Sequence, residues 1–170
     1  MIESLTNEYK PLSNYFEAKF EFKGIKYRNV INAFVAQFFE NETQQRVIAG
    51  SIPSRAQTLL KSAPLKMTEE EQLDLMHDII MEKVKAHKEI KELLLNSEGE
   101  IINNVSWNDT FWGVMNGEGE NHTGKILEFI REELKEKKSN SKKKKEKKEK
   151  LDAVIEEMKA DGIDGEETNE

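Results

Sequence analysis

Residues 30–39, Val-Ile-Asn-Ala-Phe-Val-Ala-Gln-Phe-Phe, carry eight apolar side chains in ten. At the helical repeat those side chains point nearly all round the axis, so a helix here keeps no face for water. Asn29 is placed to cap it, and the sequence predicts a helix over 30–40. Such a helix belongs in the centre of a core, and every other element must pack around it. A chain of 170 residues is long enough for one core of this kind plus an appendage.

The surrounding elements are read from period and punctuation. Ala18-Lys-Phe-Glu-Phe22 alternates apolar and polar residues, Lys23-Gly24 turns, and Ile25-Lys-Tyr27 alternates again. That pattern predicts a β-hairpin with one buried face. Residues 1–14 read as irregular, punctuated by Pro11 and Asn14. Gly50-Ser-Ile-Pro53 interrupts the chain, and a short helix follows from Pro53 or Ser54 to about Lys61. Thr68-Glu-Glu-Glu71 is a capping box and opens the longest helix, expected to reach about Asn96. Leu73, Met76, Ile80, Val84, His87, Ile90 and Leu94 recur at helical spacing as its buried stripe. Residues 101–105 read as a short strand. A last body helix over 123–136 turns Ile126, Leu127, Ile130 and Leu134 inward.

Beyond Lys135 the composition changes. Residues 135–150 hold ten Lys against three Glu, a charge of +7, and residues 151–170 hold eight acids against one Lys, a charge of −7. The blocks cancel, so the body carries the whole net charge of −7 and is a poor generic surface for phosphate backbones. The Lys run reads as a disordered linker, Leu151-Asp-Ala-Val-Ile-Glu-Glu-Met158 as a short amphipathic helix, and the last dozen residues as disordered. No apolar run approaches the length of a membrane span, and Met1-Ile-Glu-Ser-Leu5 lacks the features of a signal peptide. There are no cysteines, which excludes disulfides, thiolate metal sites and a Cys nucleophile. The expectation is a cytoplasmic protein without membrane contact.

The chemistry concentrates in Asp109-Thr-Phe-Trp-Gly113 and Gly119-Glu-Asn-His-Thr-Gly124. Asp109 supplies a carboxylate, either for local amides or for a ligand. Phe111 and Trp112 supply flat faces on which a base can stack. Asn121 can cap a helix starting near Thr123, leaving free amide hydrogens that suit an anion. The alternative on the same residues is a capped helix after a loop whose aromatics plug the core. His77, His87 and His122 do not have metal-ligand spacing, and no phosphate loop, serine elbow or dinucleotide fingerprint is present.

Leu12-Ser-Asn-Tyr15, Gly24-Ile-Lys-Tyr27, Ala33-Phe34 with Ala36-Gln37, Asp109-Thr-Phe-Trp-Gly113, Gly119-Glu-Asn121 with Gly124, and Ile130-Arg131 follow one another in this order. The pattern resembles the NADAR family, the riboflavin-intermediate N-glycosidase-like family, across about residues 5–135. The resemblance implies an α+β, predominantly helical fold in one domain over 1–135, with a small β-hairpin. A Lys-rich linker over 136–150 and an acidic tail with a short amphipathic helix over 151–170 would follow it. It implies cleavage of an N-glycosidic bond, in phosphorylated riboflavin precursors or in ADP-ribosylated guanine, with neither metal nor cofactor, in a protein of bacterial or phage origin.

Carried over by position, the resemblance implies ligand contacts from Asn14, Tyr27, Asn32, Trp112, Gly113, Asn121, Gly124 and Arg131. Arg131 could pair a phosphate, or hold Asp109 or a helix end. After Tyr27 the family reads Glu-His, then Gln and a later Lys, where this chain has Ile31-Asn32, Val35 and Phe38. The Glu is the family's acid–base residue, and an oxocarbenium-like transition state calls for such a carboxylate. Asp109 is the best carboxylate in its place, with Glu118 or Glu120 as substitutes. Three readings follow. The first is an N-glycosidase with a displaced acid. The second is a degenerate relative that binds a nucleotide-like ligand, an ADP-ribose-type signal or a protein without turnover. The third is an interaction module whose tail contacts nucleic acid or protein.

Overall fold

A computed structural model describes residues 1–163. It divides into two compact units, residues 1–131 and residues 132–170. The fold is α+β and predominantly α, with one two-stranded antiparallel sheet.

In the first unit the hairpin forms as its alternation requires. Strands β1 (Phe20–Phe22) and β2 (Ile25–Tyr27) pair Phe20 with Tyr27 and Phe22 with Ile25. Those four residues are buried and the residues between them are exposed. Lys23 and Gly24 both have positive φ, 47° and 80°, the backbone that a tight two-residue hairpin turn demands. The N-terminal segment is not irregular throughout. Asn7–Leu12 forms a 3-10 helix, η1, whose Leu12 is buried.

Helix α1 (Val30–Ala36) starts where Asn29 accepts a bond from the backbone N–H of Asn32 at 2.9 Å. All seven of its residues are buried, Val30, Ala33 and Ala36 completely. It packs against α2 (Glu42–Gly50), α3 (Pro53–Leu60) and α4 (Glu69–Ala86). The helix is shorter than the apolar run because the chain must turn before α2, which Asn41 caps through the N–H of Gln44.

The capping box of Thr68 and Glu71 opens α4 with both reciprocal bonds in place. The expected single helix to Asn96 breaks at His87, where the backbone is extended (φ −126°, ψ 102°), and resumes as α5 (Lys88–Leu95). The cause is tertiary: His87 Nε2 lies 2.8 Å from the carbonyl of Lys19, next to β1. Residues 101–105 make no strand, only isolated bridges of Ile101 with Ile2 and Asn104 with Val114.

Helix α6 runs from His122 to Ile163 and does not stop near residue 136. Its first turns bury Leu127 and Ile130 within the first unit. In the second unit the Lys run expected as a disordered linker is helical, and so are residues 151–163. Between Gly124 and Gly162 there is neither Gly nor Pro, and Lys and Glu are good helix formers. Spaced pairs such as Lys145–Glu149 and Lys159–Glu156, each 3.8 Å apart, add a little support. Residues 164–170, the rest of the stretch expected as disordered, lie outside the described residues. Among the described residues no helix is long and apolar enough to cross a membrane.

Candidate functional site

The loop from Asp109 to Gly124 is built by its own backbone. Asp109 Oδ1 accepts the N–H of Trp112 at 3.2 Å, and its carbonyl accepts Gly113 N–H at 3.1 Å, closing one tight turn. The return stretch is laced to that turn. The N–H groups of Glu120, Asn121, His122 and Thr123 donate to the carbonyls of Thr110, Gly113, Phe111 and Trp112 at 2.7–3.3 Å. Between the two, Met115 and Glu118 pair across a two-residue tip, Asn116-Gly117, with φ of 54° and 84°.

Three glycines are fixed by close approach, and a Cβ at Gly119 would strike the Gly113 carbonyl. A Cβ at Gly113 would stand 2.6 Å from the Asn103 carbonyl oxygen, and one at Gly124 only 1.9 Å from that of Ile101. Asn121 works in the same seam. Its Oδ1 accepts Asn103 N–H at 2.9 Å, and its Nδ2 donates to the Ile101 carbonyl at 2.8 Å. With φ at +55° and a side chain engaged in this way, Asn121 does not cap α6 as its position in the sequence leads one to expect. It clamps residues 101–103 onto the first turn of the helix.

The N-terminal motif meets this unit. Asn14 is buried, and its Nδ2 donates to Thr123 Oγ1 at 3.3 Å and to Met76 Sδ at 3.7 Å. Its backbone carbonyl accepts Ile31 N–H at 3.2 Å, while its Oδ1 is buried with no partner among the described residues. Ile31 itself is buried, 8% exposed. Tyr15 stands edge-on to Trp107 at 5.4 Å, and Gln57 Nε2 donates to its hydroxyl at 2.6 Å. Burial pushes the Tyr15 hydroxyl above its ordinary range; the Gln57 bond opposes this and the charge of Asp109 adds to it.

Behind Ser13 lies Lys83, 1% exposed. Its Nζ donates to the Ser13 carbonyl at 2.8 Å and sits 5.8 Å over the Phe16 ring. Burial alone lowers it from 10.5 to about 7. A hollow of about 530 Å³ lies over the N-terminal segment, lined by residues 5–7, Lys10, Ser13, Tyr15 and Phe16 and by no residue of the loop 109–124.

Trp112 is half-buried and sits edge-on to Phe34 of α1 at 5.5 Å and to Phe111 at 4.8 Å. Phe111 in turn meets the His122 ring at 4.5 Å, and His122 Nε2 lies 2.7 Å from Glu120 Oε2. Asp109, Trp112, Gly113, Asn121 and Gly124 are thus one unit, joined to Asn14 through Thr123. The other residues named in the sequence send their bonds elsewhere. The Tyr27 hydroxyl receives Gln37 Nε2 at 3.3 Å, and burial raises its pKa. Asn32 Nδ2 donates to the carbonyls of Ile48 and Ser51, 2.9 and 2.5 Å away, where α2 ends. Arg131 donates to Ser97 Oγ at 3.1 Å and the Gly99 carbonyl at 2.7 Å, just past α5.

Sequence reading missed Tyr15, Gln57, Trp107 and Lys83 as members of this neighbourhood. A signal existed for Lys83: it follows Ile79 by four positions and Ile80 by three, inside the apolar stripe of α4.

The chain belongs to the NADAR domain family, which it matches over residues 3–135. It is 27% identical over 135 residues to an N-glycosidase of Nostoc punctiforme, covering 75% of this chain and 86% of that one. Its fold is similar to the NMR structure of the E. coli protein YbiA, with a TM-score of 0.68 at 22% identity, covering 81% of this chain and 89% of that one. The first unit is a NADAR-like domain.

Proposed function

We propose that the protein cleaves an N-ribosyl bond in a nucleotide-like compound, either ADP-ribosylated guanine or a phosphorylated riboflavin precursor. What carries this reading is the joining of the loop 109–124 to Asn14 through Thr123, with the Asp109 carboxylate in the same turn as Trp112. Trp112 and Trp107 offer stacking faces to the base. Asn14 and the first turn of α6 hold the wall beside it. Asp109 is the carboxylate that steadies positive charge on the ribose as the bond to the base lengthens. Lys83, through the Ser13 carbonyl, fixes the segment that bears Asn14 and Tyr15.

The test is base release from ADP-ribosylated guanosine and from riboflavin-pathway ribosylamine phosphates. Asp109→Ala should lose about 10²- to 10⁴-fold in rate, the usual range for a positioned carboxylate. Equal background rates for wild type and variant on both substrates defeat the reading.

A second reading has its own observation. Ile31 occupies the place where the family resemblance puts a carboxylate, and Asp109 already spends one oxygen on the N–H of Trp112. A relative that binds without turnover fits that arrangement. Calorimetric titration with ADP-ribose and NAD distinguishes it: heat of binding with no base release supports a binder, and silence for both ligands removes it.

A further inference from the structure

The far end of α6 carries an apolar face and two charge blocks that the helix cannot satisfy by itself. Leu151, Val154, Ile155 and Met158 are 57%, 50%, 40% and 69% exposed, at the spacing that puts them on one face. Lys148, three residues before Leu151, and Asp161, three after Met158, extend that face at its two ends, and both are exposed. Around them the sequence places +7 over residues 135–150 and −7 over residues 151–170. Residues 135–163 are one unbroken helix, which holds the basic block and the start of the acidic block end to end. Within that helix the basic residues and the acids that follow them cannot face each other.

A second copy running the opposite way can face both. Setting Leu151 of one copy against Met158 of the other sets Val154 against Ile155 and Lys148 against Asp161. The arrangement is two-fold symmetric, so each contact occurs twice. Parallel copies would instead set Lys148 against Lys148 and Asp161 against Asp161, and the basic block against itself. A nucleic acid would take the Lys block, leave the apolar face wet and meet repulsion from residues 151–170. We propose that residues 148–161 of α6 form an antiparallel seam between two copies of this chain, oriented by Lys148 and Asp161. The apolar part of the seam, residues 151–158, is only about two turns long, so its Kd is on the order of tens of micromolar or weaker. This inference does not depend on the function proposed above.

The absence of cysteines makes the orientation directly testable in the full-length protein. Leu151→Cys mixed with Met158→Cys should cross-link under mild oxidation, while Leu151→Cys alone should not, because a disulfide needs Cα atoms within about 7 Å. Sedimentation velocity should show the mass moving toward twice that of one chain as concentration rises. Ile155→Asp should hold the protein monomeric with its tryptophan emission unchanged. Lys148→Asp should weaken association about 2- to 10-fold, and adding Asp161→Lys should restore it. A monomer at every concentration, or Leu151→Cys cross-linking to itself in preference to Met158→Cys, overturns the proposal. So does a mass increase that requires added duplex DNA.

Discussion

Asn14 and Thr123, 109 positions apart, meet through a hydrogen bond from Nδ2 to Oγ1 at 3.3 Å. The bond ties the N-terminal motif to the first turn of α6. Thr123 is 1% exposed, so its loss is not made good by water. Thr123→Val keeps the shape and removes the acceptor. We expect a loss of about 1–2 kcal/mol in urea unfolding, with Thr123→Ser close to wild type. Equal midpoints for wild type and Thr123→Val show that the bond is not made in solution.

Lys83 makes stability depend on pH in an unusual direction. Burial lowers it from 10.5 unfolded to about 7 folded, so between those values the unfolded chain binds more protons. Stability therefore rises with pH across that window, and below pH 7 the full cost of burying the charge is present. Lys83→Met removes that cost. The variant should be more stable than wild type at pH 6 by on the order of 3 kcal/mol, and the gap should shrink toward pH 10. Paired denaturation curves at the two pH values decide it, and a constant gap contradicts the depressed pKa.

Gly124 and Gly162 both lie in α6 but differ in surroundings. A Cβ at Gly124 collides with the Ile101 carbonyl, and one at Gly162 meets nothing within 4 Å. Gly124→Ala should cost about 3 kcal/mol or leave the protein unfolded. Gly162→Ala should be neutral or raise helicity slightly, since Ala favours a helix over Gly by about 1 kcal/mol. Circular dichroism during thermal melting ranks the two.

Only two tryptophans are present, Trp107 and Trp112. In Trp107→Phe the remaining emission reports on Trp112 alone. Titration with ADP-ribose should change that emission, and Trp112→Ala should weaken calorimetric binding by about tenfold or more, the usual worth of a base stacked on an aromatic ring. Unchanged emission and unchanged affinity remove Trp112 from the ligand site.

Much of the scaffold was legible because its causes are local. Asn29, the alternation around Lys23-Gly24, and the reciprocal pair Thr68 and Glu71 each act within a few residues. The break at His87 was not legible, since it depends on a carbonyl 68 residues away in sequence. The cap at Asn41 was local and could have been read, but the apolar run carried the preceding helix to residue 40, past its end at Ala36. The Lys run was misjudged from charge, although Lys and Glu are sound helix formers when no Gly or Pro intervenes. In the site, Asn121 was recognised as important from its place in a motif. Its backbone-clamping role became visible only once residues 101–103 were seen beside it.

The tip of the loop at Asn116-Gly117 points out from this tightly bonded seam. Both residues are exposed, and a Cβ at Gly117 would touch nothing. Chemistry attached there meets no packed neighbour, so Asn116→Cys offers one addressable thiol in a chain that has none. A dye or spin label at that point would sit on the exposed tip of the loop and report on changes in its surroundings, and the bonded seam beneath it would be left untouched.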